Sequence, residues 1–387
     1  MIARRIQHVQ DPVIPIVGRW TRQHPGTISL GQGVVHFPPP PQVFQAVSQA
    51  AQHDRSLDRY GDVSGSDGLI ELIRDKLVTE NEIDLVAQQS TVVVTAGANM
   101  GFLNAILAIA DVDDEIILLA PYYFNHQMAI EIAGCRPVVV PTLADHQPDL
   151  DAIADAMTPR TKAIVTVSPN NPTGTVYSPQ DLNSINQLCA RQGIYHVCDE
   201  AYEYFLYDGL QHYSPGSRAG AGRHTISLFS LSKTYGMAGW RVGYCVVPNH
   251  LVDAIKKIQD TNLICPPIVC QTAASAALTV GADWCRDQIG GLNAVRDASL
   301  ESLSVLGGKC HQATPQGAFY LFLHLQTDRS DMQLVEQLIR DFGVAVLPGS
   351  AFGVTQGCCL RASYGALQPS AVVDGVGRLC KGLQKLL

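Results

Sequence analysis

The sequence predicts an α/β protein: a large domain with a mostly parallel seven-stranded sheet between helices, plus a smaller α+β domain formed by the N- and C-terminal segments. Three observations predict it. Seven short apolar runs lie between Thr91 and Val247, mostly separated by segments long enough for a helix, and alternation of this kind builds a parallel sheet. The runs are rich in Val, Ile and Leu without polar alternation, as strands covered on both faces require. A different pattern, strands around a single helix, follows residue 280, and 387 residues suffice for two or three domains.

In chain order, helical periodicity at 43–53 and 69–81 precedes the first run. The runs fall at 91–95, 115–119, 137–140, 163–167, 195–198, 225–229 and 242–246. The last two are joined through a short segment around Lys233, so that pair need not be parallel. Helical material at 251–279 closes a large domain of residues 45–280. Beyond it, 318–322 and 344–347 read as strands around a helix at 332–342. They form the small domain, residues 281–387 joined by 1–44. Near the start, Pro12 and Pro15 interrupt any long amphipathic helix, and Pro38 to Pro41 form a rigid bend.

Composition narrows the function. Net charge is −8, from 27 basic and 35 acidic residues, without a basic block, which argues against a nucleic-acid partner. Charged residues make up 16% of the chain against a usual figure of about 25%, a hint that a partner covers part of the surface. Eleven cysteines in a long chain, several within apolar segments, suit a reduced cytoplasmic protein better than a disulfide framework. No Cys-x-x-Cys or His-x-x-x-His spacing marks a metal site. No apolar stretch reaches the roughly 18 residues of a membrane span, and residues 1–10 lack the apolar core of a signal peptide.

Ligands of open parallel sheets bind outside the carboxyl ends of the strands, so the residues following each run carry the functional reading. Ser230-Leu231-Ser232-Lys233 is followed eight residues later by Arg241. Hydroxyls and a guanidinium suit a phosphate monoester, and a lysine tuned toward neutrality suits condensation with a carbonyl. Both requirements meet in pyridoxal 5′-phosphate. After Thr95, Gly97-Ala98-Asn99 form a small-residue turn that can open a helix and offer N–H groups to a phosphate. It also reads as an ordinary strand-to-helix turn. Tyr122 or Tyr123, after the second run, can stack on a flat ring or pack in the core. Asn171 lies in a turn after 163–167, and Asp199 ends the run at 195–198. A buried carboxylate is rarely unpaired; Asp199 is either the partner of a ring nitrogen or a strand-end cap. Strand alternation sends its neighbour Glu200 to the opposite face.

The Ser-x-Ser-Lys-x(7)-Arg run resembles the signature of fold-type I, class I/II aminotransferases, and the other motifs follow in that family's order from Gly31 to Tyr364. The resemblance implies pyridoxal phosphate held by Lys233, with Gly97, Ala98, Asn99, Ser230, Ser232 and Arg241 at its phosphate. It also implies Tyr123 at the ring, Asp199 on the ring nitrogen, and Asn171 and Tyr202 on the phenolic oxygen. Arg361 would clamp the substrate α-carboxylate, the loop at Gly33 would cover bound substrate, and Tyr60 would reach the phosphate of a neighbouring subunit in a homodimer. Substrates would be small-molecule amino acids and 2-oxo acids in a ping-pong cycle, with Lys233, Asp199 and Tyr202 as catalytic residues. The loop at 31–40 resembles that of aromatic, methionine and kynurenine-type enzymes, which favours neutral or aromatic donors while leaving aspartate open. Two rivals share these residues: a lyase of the same fold, and a ligand sensor with an aminotransferase-like domain. The latter needs a DNA-binding domain that the roughly 30 residues before Gly31 are too few to supply.

Overall fold

The computed structural model describes residues 2–387. Its seven-stranded sheet comprises β1 (Ser90–Thr95), β2 (Glu115–Ala120), β3 (Arg136–Pro141), β4 (Thr161–Val167), β5 (Tyr195–Asp199), β6 (Thr225–Ser230) and β7 (Gly243–Pro248), each within two residues of its predicted run. Their spatial order is β1-β7-β6-β5-β4-β2-β3. All neighbours are parallel except β7, which is antiparallel to both β1 and β6. The alternating residues of the apolar runs serve the cores on both faces of the sheet. Val93, Leu118 and Val165 pack on one face, while Val92, Val94, Ile117 and Ile164 pack on the other.

Helices cover both faces and begin and end for local reasons. Helix Pro179–Gln192 starts at Ser178, whose Oγ accepts from the Asp181 N–H at 3.0 Å, and stops at Gly193 with φ +67°, a pairing of N-cap hydroxyl and left-handed C-cap. The predicted helices before β1 are Pro41–His53 and Asp67–Asn81, with Pro41 at the first helical position, where its missing N–H costs nothing. The material after β7 is two helices, Val252–Leu263 and Ile268–Val280.

The second sheet comprises β8 (Cys310–His311), β9 (Tyr320–Leu325), β10 (Leu347–Pro348) and β11 (Cys358–Ser363), in the antiparallel order β10-β11-β9-β8. The predicted run 344–347 is not one strand. Val344–Ala345 pairs in parallel with Ile28–Ser29, and Leu347–Pro348 turns to β11, because Val346 lies between two partners. That first pairing ties the N-terminal segment to this sheet. Helix Asp331–Phe342 stands where predicted. The expectation for Pro15 needs correction: helix Val13–Gln23 runs through it. Pro15 lies in the first turn, whose N–H groups have no intrahelical acceptor, whereas Pro12 does separate this helix from Arg4–His8.

Candidate active site

The carboxyl ends of β1, β2, β4, β5 and β6 open into one cleft of about 290 Å³, which Gly33, Ala98, Asn99, Tyr123, Asn171, Asp199, Tyr202, Ser230, Ser232, Lys233, Arg241 and Arg361 all line. Two predicted residues stand outside that lining. Gly97 lies directly under the Arg241 guanidinium. Tyr60 is 80% exposed in a separate shallow depression with Cys265 and Ile268.

The antiparallel return of β7 makes the cluster around Lys233. β6 ends at Ser230, a short helix Leu231–Thr234 carries Lys233, and the chain re-enters the sheet at Gly243, next to Ser230 in register. Lys233 and Arg241 therefore reach the same edge. The Lys233 amine donates to the Gly33 carbonyl at 2.5 Å. Burial, then the neighbouring charges of Arg241 and Arg361, push it down to about 8 against the opposing pull of Asp199. An amine so placed is half neutral near pH 8 and can act as a nucleophile.

Arg241 donates only to the carbonyls of Ala238 and Ala96 and has no carboxylate partner among the described residues. Beside it, helix Ala98–Ile109 begins after Gly97 at φ +82°. A Cβ on Gly97 would lie 2.5 Å from Arg241 Nη2, so only glycine leaves the guanidinium its place. First-turn N–H groups, two serine hydroxyls and a guanidinium without an acid form an anion cradle.

Asp199 Oδ2 lies 3.1 Å from His126 Nε2, and its Oδ1 accepts from the Ala201 N–H at 3.1 Å. The strand-end capping contact is therefore present, yet the carboxylate still faces the cleft. Glu200 points the other way, bonding His212 at 2.8 Å and Ser214. Tyr202 Oη lies 2.6 Å from Tyr320 Oη and accepts from Asn171 Nδ2 at 3.4 Å. Burial, then Tyr320, hold the Tyr202 phenol well above its ordinary range, so it remains a donor. Burial likewise raises Tyr123, against a bond from Asn99.

Arg361 is 1% exposed. It donates to Asn171 Oδ1 at 2.9 Å and the Gly31 carbonyl at 2.7 Å, and lies between the rings of Tyr320 and Phe352 at 4.5 and 5.0 Å. Its Nε has no partner, and no carboxylate pairs with it among the described residues. A buried cation without a counter-ion is costly, so a ligand carboxylate is the partner this arrangement calls for.

Sequence reasoning missed Tyr320 and His126. Tyr320 bridges Tyr202 to the Gly33 loop, where a Cβ on Gly33 would lie 2.6 Å from its hydroxyl. His126 backs Asp199 while stacked on Phe102 at 4.0 Å. Alternation along β9 and helical spacing from Tyr123 name the face that each residue shares, but no local signal says that this face meets the cleft.

The donor set fits pyridoxal phosphate: an anion cradle, a carboxylate for a ring nitrogen, phenol and amide donors for an oxygen, and an amine of lowered basicity. The model of the aminotransferase class I and II family matches residues 25–379. The aromatic aminotransferase ISS1 of Arabidopsis thaliana is 35% identical over all of this chain and 97% of its own length. A probable aspartate/prephenate aminotransferase of Aquifex aeolicus is 32% identical over 100% and 99%. A single-mutant Thermus thermophilus aspartate aminotransferase superposes with a TM-score of 0.90 at 30% identity, covering 99% of both chains. The chain belongs to the class I and II aminotransferases, pyridoxal-phosphate enzymes of fold type I that exchange nitrogen between amino acids and 2-oxo acids.

Proposed function

We propose that the enzyme transfers the amino group of neutral and aromatic amino acids, with aspartate a slower donor, to a 2-oxo acid by a ping-pong cycle. The observation that carries this reading is the buried Arg361 guanidinium facing a cleft whose other walls include Ile14, Val34 and Phe124. One cation serves the α-carboxylate, and apolar walls receive the side chain. The names of the relatives, aromatic in Arabidopsis and aspartate/prephenate in Aquifex, support both donor classes.

Pyridoxal phosphate supplies a carbonyl and a ring that takes up the electron pair left when the substrate loses its α-proton. The chain's residues do the rest. Arg361 fixes the α-carboxylate by a two-point contact, which orients the Cα–H bond. Lys233 Nζ would carry the proton from Cα to the cofactor's carbonyl carbon in one half-reaction and in the reverse direction in the other. Asp199, held by His126 and the Ala201 N–H, keeps the ring nitrogen protonated; Tyr202 and Asn171 donate to the phenolic oxygen. Ser230, Ser232, Arg241 and the 97–99 turn hold the phosphate. Residues 45–280 form the cofactor-binding unit, and 1–44 with 281–387 form the smaller unit that carries Arg361. Eleven free cysteines support a reducing, cytoplasmic setting.

The donor assignment is tested by stopped-flow spectra of the cofactor band across a panel of amino acids. Phenylalanine, tyrosine, tryptophan and methionine should convert it faster than aspartate at equal concentration. Aspartate leading the panel would overturn the assignment.

The active unit in this reading is a homodimer with shared sites. Tyr60 supports it: an 80% exposed tyrosine in one depression with Leu57, Ile268 and the exposed Val269 is an apolar patch that suits a partner. Co-expression of Tyr60→Phe and Lys233→Ala chains should yield heterodimers with one doubly damaged and one intact site, and about half of wild-type activity. Activity at or below that of the Tyr60→Phe homodimer would mean that Tyr60 serves its own subunit.

A further inference from the structure

A second cleft, of about 780 Å³, lies where the edge of the large sheet meets the small sheet, and His146 and His324 both line it. His146 is in the bend after β3 and His324 is on β9. Their Nε2 atoms are 3.3 Å apart, with ring centroids at 5.3 Å and planes 19° from parallel. We propose that these two imidazoles form a transition-metal site, chelating one borderline divalent ion such as Zn²⁺ or Ni²⁺ across the junction of the two sheets.

The span is the first argument. Two nitrogens each about 2.0–2.1 Å from a tetrahedral ion lie about 3.3–3.4 Å apart, the separation found here before any ion is added. The orienting shell is the second. His324 Nδ1 lies 3.2 Å from Cys359 Sγ, the kind of contact on the remote ring nitrogen that fixes a metal-bound imidazole. Third, His146 is 7% exposed, with a backbone φ of +65°, uncommon for a residue other than glycine, so its ring is placed by packing.

The protons balance. Without an ion, one Nε2 must carry the hydrogen that bonds the other; on chelation that hydrogen moves to the same ring's Nδ1, and no proton leaves the protein. No group of three or more His, Cys, Asp or Glu side chains converges among the described residues, so water from the cleft completes the coordination. Such a site is open and exchangeable, and imidazole donors select Zn, Cu or Ni over Mg and Ca.

The site has a route to catalysis. Side chains alternate along a strand, so Tyr320, Phe322 and His324 share one face of β9. Phe322 is paired with Arg361 and His324 with Cys359 across β11. An ion held by His146 would tie to the large sheet the same strands that bear Tyr320 and Arg361.

The test is equilibrium dialysis of the holoenzyme against Ni²⁺, with no amino acid present because free amino acids chelate the ion. Wild type should bind one Ni²⁺ per chain. His146→Asn and His324→Gln should each weaken binding by at least ~10-fold. His146 is in a bend outside the catalytic cleft, so His146→Asn is the deciding variant if His324→Gln disturbs the small sheet; its metal-free turnover and its melting in chelator should match wild type. Ni²⁺ binding of equal affinity in wild type and a folded His146→Asn would overturn the proposal.

Discussion

Lys233→Ala is expected to cut turnover with every amino-acid donor by about 10⁴-fold or more, because in the proposed mechanism one substitution removes both the proton carrier and the covalent anchor. The fold should survive. The amine's one hydrogen bond is to the Gly33 carbonyl, and shortening a side chain at the edge of a cleft leaves no packed cavity. Borohydride reduction followed by peptide mass analysis should find a cofactor-sized adduct on Lys233 in wild type and none in the variant; an adduct on another lysine would reverse the assignment. The pH dependence has a definite sign. Burial and two guanidinium charges penalise the charged amine and bring it down to about 8, so the neutral, reactive form takes over above that pH. Cofactor capture by the cofactor-free protein should therefore rise through pH 8, whereas an ordinary lysine would rise near 10.4.

Arg361→Ala is expected to lower kcat/KM for all α-amino acids and 2-oxo acids by about 30- to 5000-fold, the equivalent of roughly 2–5 kcal/mol for truncating one partner of a buried charge pair. The guanidinium is wedged between Tyr320 and Phe352 and already held by Asn171 and Gly31, so no other group can move in to replace it. Arg361→Lys should rescue little, because a single ammonium cannot give the planar two-point contact. Amines without an α-carboxylate should be nearly unaffected. A loss confined to dicarboxylic donors would make Arg361 a reader of the side chain and reverse the donor preference.

The large sheet was legible because each strand is an apolar run that ends in a polar or small residue, and the cleft was legible because parallel strands deliver those endings to one edge. Asn171, Asp199 and Ser230 follow or end their strands, so locating the strands also located the site. Tyr320 escaped because its run, read as strand 318–322, gave no reason to separate a cleft-facing ring from core neighbours; its contact with Tyr202 spans 118 residues. His126 sits inside a helix, where a histidine carries no local mark. His146 and His324 are 178 residues apart, and only the meeting of two sheets makes them neighbours. In the small sheet, β8 and β10 are two-residue strands that owe their pairing to β9 and β11, and no periodicity can be read from two residues.

The reversed direction of β7 has a consequence for how this sequence can change. A parallel strand would have needed a crossover and would have sent Arg241 to the far rim of the sheet. The antiparallel return instead anchors residues 231–242 at both ends in adjacent strands, so adding or removing a residue there shifts the amine and the guanidinium against each other. A change of loop length should be better tolerated at the opposite rim, where the connections lead into the amino ends of the parallel strands. Descendants of this chain can therefore diversify their loops on one rim while the other keeps a constant residue count between Lys233 and Arg241.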